Sequence, residues 1–257
     1  MINKVLPILL AITVLGACKK PDPDGGDITD DKATPTGTLL FHLHTYISDN
    51  EVDGYGFVYT NDDGRQISLS MAQLYITDIQ VVKLDGSLIN LPDTILLKTL
   101  ALETYVAGKV PVGNYKGIQF KVGLSAATDA QNPVLSKDSA ALNHSEMWFG
   151  SSAQSDGHVF LNVQGSIDTT SDLSGLLIPF SYKIGTQANL IQVKMPQQNF
   201  SILENQAEYG HIIIDYNRLF SGIQLNSAAN LQVDKAGSNS DLAQKITVNI
   251  PSMFRYE

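Results

Sequence analysis

Hydrophobic residues recur at every second position along most of this chain. Leu39, Phe41 and Leu43 alternate with Leu40, His42 and His44, and Ile67, Leu69 and Met71 repeat the rhythm. A period of two marks a half-buried strand, whose successive side chains point to opposite faces. The clearest instance follows Val110-Pro-Val-Gly-Asn114, a turn signal in which Pro111 fixes its own φ. There Ile118, Phe120, Val122 and Leu124 share one face, and Gln119, Lys121 and Gly123 share the other. The apolar phase of Leu74–Leu84 slips near Thr77 and Asp78, which predicts a bulge. Asp85-Gly86 predicts a hairpin with Ser87–Leu91 as its return strand. Gly157–Gly165, Leu176–Ile184, Leu190–Met195, His211–Ile214 and Ala243–Ile250 read as further strands, and Tyr216–Phe220 as one helical turn. Roughly ten short strands without a convincing amphipathic helix predict an all-β chain, a single antiparallel β-sandwich over residues 37–257.

The first residues break this pattern. Lys4 precedes an apolar run, Val5–Leu15, that is too short to span a bilayer comfortably. It reads as the core of a signal peptide covering residues 1–17. Leu15-Gly-Ala-Cys18 resembles the bacterial lipobox, which implies lipidation of Cys18 and attachment to a membrane through that anchor. Cys18 is the only cysteine, so no disulfide forms within the chain. Residues 18–36 are rich in Asp, Pro and Gly and read as a disordered tether. A Lys after the acylated Cys is similar to lipoproteins delivered to the outer membrane, and Lys19-Lys20 beside acidic residues resembles export signals of Bacteroidota-type lipoproteins. The expected location is therefore the outer membrane, facing the periplasm or the cell surface. A net charge of −9, from 17 Lys and Arg against 26 Asp and Glu, argues against a nucleic-acid partner.

His42 and His44 are the sharpest chemical feature. Residues i and i+2 of a strand point to the same face about 6.5–7 Å apart, so two imidazoles can converge on one ion. Imidazole nitrogen suits copper or zinc. The alternative is two solvated histidines on the polar side of a strand. His158 and His211 are candidate third ligands, each otherwise an ordinary strand residue. Trp148, the only tryptophan, reads either as a core anchor or as a binding platform. Asp49-x-Glu51-x-Asp53-Gly54 imitates the start of a calcium loop, but its twelfth position is Thr60, so it reads as a solvated turn. No nucleophile elbow, zincin motif or phosphate loop is present, and an enzyme is not expected.

The order of motifs resembles the MbnP-like family of copper-associated bacterial lipoproteins. The residues that carry the resemblance are Gln73-Leu-Tyr-Ile-Thr-Asp-Ile79, Asp85-Gly86, Val110 to Leu124, Met147-Trp-Phe149, Gly157 to Gly165, Pro179-Phe-Ser-Tyr-Lys-Ile-Gly185 and Ile213 to Phe220. The resemblance implies a β-sandwich that binds copper, or assists a copper-handling partner protein, with histidines and a nearby tryptophan-derived group. Trp148 is the residue that would supply the latter. Three positions depart from the family pattern: Lys183 replaces its usual His, Gln164 a common Glu and His158 a usual Tyr. A reading from a different class is a metal-free surface module that binds a protein or a glycan through its sandwich loops. A third His or Met within reach of the His42–His44 pair would favour the metal.

Overall fold

The computed structural model describes residues 34–257 apart from 93, 132–139, 152, 153 and 235–239. The expected signal peptide, Cys18 and the tether up to residue 33 lie outside the described residues. Sixteen strands are described. The first six are β1 (Thr36–Ile47), β2 (Asn50–Glu51), β3 (Val58–Thr60), β4 (Gln66–Lys83), β5 (Leu88–Asn90) and β6 (Leu96–Lys98). β7 (Thr104–Pro111), β8 (Gly113–Val122), β9 (Trp148–Ser151), β10 (Gln154–Asp168) and β11 (Leu177–Gly185) follow. β12 (Ile191–Lys194), β13 (Phe200–Ile202), β14 (Ala207–Asp215), β15 (Gln232–Val233) and β16 (Phe254–Tyr256) come last. Two short α-helices accompany them, α1 (Ala126–Asp129) and α2 (Ser240–Asn249).

The strands form two sheets in an all-β, sandwich-like fold. The smaller runs β16–β14–β1–β2, with β7 also paired to β1. The larger runs β12–β8–β4–β10–β11–β15, and the shorter strands β3, β5, β6, β9 and β13 attach to it. The apolar faces meet in one cluster: Leu39, Phe41 and Leu43 of β1 are fully buried, as are Phe120 and Val122 of β8. Phe120 bridges the sheets, with its ring centroid 6.3 Å from Phe41 and 5.0 Å from Phe254.

Pro111-Val-Gly113 does not close a hairpin. It carries the chain from β7 in the small sheet to β8 in the large one, where β8 lies between β12 and β4 as the strand its alternation predicts. The expected bulge in β4 is present: its register with β8 shifts between Thr77 and Gln80, and Asp78 adopts a φ of 49°.

Two features differ from the sequence reading. β1 and β14 pair in parallel, as do β11 and β15, within sheets that are otherwise antiparallel. Parallel neighbours need a long connection, and most of the chain lies between β1 and β14. The expected last strand, Ala243–Ile250, is instead largely α2. Leu242, Ala243, Ile246 and Ile250 are buried at helical spacing while Val248 is exposed, so burial on one stripe outweighs the strand preference of the β-branched residues.

Candidate metal centre

The alternation of β1 turns Leu39, Phe41 and Leu43 inward and leaves His42 and His44 on the outer face of the small sheet. Their rings stack with centroids 4.4 Å apart and planes 26° apart. The parallel register of β14 then places His211 directly opposite His42. The His211 ring lies 5.1 Å from that of His42 and 6.4 Å from that of His44. One nitrogen from each of the three histidines falls within 4.8 Å of the others. The third donor that separates a metal site from a bare interaction surface is therefore His211.

Three carboxylates surround these rings. The Nε2–H of His42 donates to Glu103 Oε2 at 3.2 Å, and the Nδ1–H of His44 donates to Glu51 Oε1 at 2.7 Å. Such contacts fix the tautomer and the ring orientation, leaving His42 Nδ1 and His44 Nε2 free to accept an ion. Glu257 Oε2 lies 3.4 Å from His211 Nδ1 and 3.8 Å from His44 Nε2. Three acidic groups around the rings create a field that attracts cations. The decisive atom is His44 Nε2, which is buried and has no hydrogen-bond partner. An unpaired buried nitrogen costs free energy unless something occupies its lone pair, and an ion between the rings would do so.

Glu103 is set in place by the connection between β6 and β7. Its carbonyl accepts from the Leu43 N–H at 2.8 Å, tying it to β1. Beneath it Lys98 is 1% exposed, and its Nζ donates to Thr99 O at 2.6 Å and Leu102 O at 3.3 Å. Burial lowers the Lys98 ammonium from 10.5 to about 8, although the charge of Glu103 works in the opposite direction. Between those two values the unfolded chain binds more protons than the folded one, so stability rises with pH. Buried tyrosines whose pKa burial raises above 10, such as Tyr75 and Tyr182, pull the other way near pH 10. The effect of Lys98 is therefore read as a difference: between pH 8 and pH 10 the wild type should gain roughly 2 kcal/mol in urea unfolding relative to Lys98→Met. An equal slope in the variant would show that Lys98 is not its source.

The other sequence candidates lie elsewhere. His158 belongs to β10 of the large sheet and is fully buried. Its backbone N–H donates to Asp129 Oδ1 at 2.7 Å and its ring stands edge-on to Tyr75, so it is no third ligand to His42 and His44. Trp148 pairs with His158 on β9 and is 9% exposed, a packed residue of the large sheet rather than a platform beside the histidines. Lys183 sits opposite Asn162 in that same sheet. Sequence reasoning missed Glu51 as a partner of His44, because it was absorbed into the apparent turn Asp49–Gly54. It missed Glu103 and Glu257 altogether, since nothing local marks either one.

The family model described as MbnP matches residues 36–240. The chain belongs to the MbnP family. The matched segment contains His42, His44 and His211, whereas Glu257 lies beyond it. MbnP from Methylosinus trichosporium has the same fold, with a TM-score of 0.52 at 17% identity over 79% of this chain and 82% of that one. No curated protein matches the chain.

Proposed function

We propose that this member of the MbnP family binds one copper ion between His42, His44 and His211. It does so as an outer-membrane lipoprotein that holds the ion for a copper-handling partner protein. The observation that carries this reading is the convergence of three imidazoles, with the inward nitrogen of His44 buried and unpaired. Imidazole donors suit copper, and the family's association with copper favours it over zinc. Bound copper would supply redox-active charge at the outer face of the small sheet. The protein's own part is to hold the rings at fixed orientation through Glu51 and Glu103. We read the arrangement as a binding site and assign it no enzymatic step.

Attachment rests on Cys18 and on the run Val5–Leu15 before it. The test pairs a titration with a fractionation. Copper should bind at one equivalent per chain and not to a His42→Ala/His44→Ala variant, and the protein should leave the membrane fraction when Cys18 becomes Ser. Equal binding by the variant would remove the site from β1, and membrane retention of the Cys18 variant would remove the anchor.

A further inference from the structure

Glu257 differs from the other two carboxylates at the centre. Glu51 and Glu103 hydrogen-bond to the outward nitrogens of His44 and His42, at 2.7 and 3.2 Å. Glu257 instead places one oxygen, Oε2, near two nitrogens at once, 3.4 Å from His211 Nδ1 and 3.8 Å from His44 Nε2. These separations exceed the roughly 2.7–3.2 Å of an N–H···O bond. Toward His211 and His44 they resemble the edge of a coordination shell, because four donors about 2.0–2.2 Å from an ion stand roughly 3.3–3.6 Å apart. The donor atoms already within 4.8 Å of one another are the three imidazoles alone, so Glu257 has to close in toward His42 as the ion binds. The nitrogen of His44 concerned is the same buried atom that has no hydrogen-bond partner.

The position of Glu257 is built into the sheet. β16 pairs antiparallel with β14 from Ile212 to Ile214, and the Glu257 N–H donates to the His211 carbonyl at 3.3 Å. Two residues earlier, Arg255 lies with its guanidinium carbon 5.7 Å from the Tyr46 ring, which ties β16 to the C-terminal end of β1. The carboxylate is thus delivered to the histidines by backbone pairing rather than by a loose tail.

We infer that Glu257 is the fourth donor to the ion, which makes the site three nitrogens and one carboxylate oxygen. This rests on the copper reading above and gives it a preference. A carboxylate is a hard donor suited to divalent ions, whereas Cu(I) favours softer ligands. The centre therefore retains Cu(II) through all four groups and holds Cu(I) through the imidazoles alone.

The test compares the wild type with Glu257→Gln and Glu257→Asp, using Cu(II) and Cu(I) salts separately in competition with chelators specific for each. Glu257→Gln should bind Cu(II) at least about tenfold more weakly, the lower end of the loss seen when even a supporting partner of a ligand is removed. Its Cu(I) affinity should stay within about twofold, and its Cu(II) electron paramagnetic resonance spectrum should move away from the wild-type pattern. Glu257→Asp keeps the charged carboxylate, which Gln replaces with a neutral amide oxygen, and should keep more Cu(II) affinity than Gln. Because the Glu257 side chain is 52% exposed, both variants should unfold at the wild-type temperature. Equal loss for both oxidation states with an unchanged spectrum would reduce Glu257 to a nearby charge and overturn the inference. Wild-type affinity in Glu257→Gln would overturn it too while leaving the histidine site intact, whereas failure of the wild type to bind either ion would overturn the copper reading itself.

Discussion

His44→Ala is expected to weaken copper binding by about 100-fold or more, the largest loss of any single replacement among the three histidines. All three rings offer one nitrogen, so the ranking comes from how much order each has before the ion arrives. The His44 side chain is 14% exposed, its Nδ1 is held by Glu51 at 2.7 Å, and its Nε2 already faces inward without a partner. Little rotamer freedom remains to be lost on binding. His42 is 27% exposed and held at 3.2 Å by Glu103, and His211 is 48% exposed with no hydrogen bond of that quality. Their removal should cost less, in the order His42 then His211, since water readily fills the position that an exposed ring vacates. Removing His44 leaves Glu51 at the surface, where an unpaired carboxylate costs little, so the unfolding temperature should not move. Competition with a coloured chelator measures all three affinities. Equal losses across the three variants would contradict an explanation based on prior ordering.

Phe120→Ala is expected to produce the largest loss of stability, about 3–5 kcal/mol. Its ring is fully buried on β8 and is the direct aromatic link between the sheets, through Phe41 of β1 and Phe254 of β16. Truncation leaves a cavity under both strands, and rigid neighbours cannot collapse to fill it. For a domain of this size the unfolding temperature should fall by on the order of 10 °C. The effect should also reach the metal. β1 carries His42 and His44, and β16 leads into Glu257, so loosening their common support should weaken copper binding without touching a donor. A loss below about 1 kcal/mol in urea unfolding would mean that the sheets are held together elsewhere.

What the sequence revealed and what it hid divide along the line between local and distant contacts. The alternation of β1 was enough to place His42 and His44 on one face, because the period of two is a property of the strand itself. The bulge at Thr77 and Asp78 and the Asp85-Gly86 hairpin were legible for the same reason. The partner of β1 was not. Whether His211 or His158 joins the pair depends on which distant strand lies beside β1 and in which direction it runs. Both histidines sit in similar β patterns, and only the parallel register of β14 decides between them. Glu103 and Glu257 arrive through the neighbours β7 and β16, whose pairing no short motif announces. The final helix was misread because Ile246, Thr247 and Val248 favour strands locally, while Leu242, Ile246 and Ile250 bury as a helical stripe.

The most direct measurement is anomalous X-ray diffraction at the copper edge from crystals of the copper-loaded protein. The account predicts a single peak about 2.0–2.2 Å from one nitrogen each of His42, His44 and His211. A peak at His158, or a loaded crystal with no peak on the outer face of the small sheet, would contradict it.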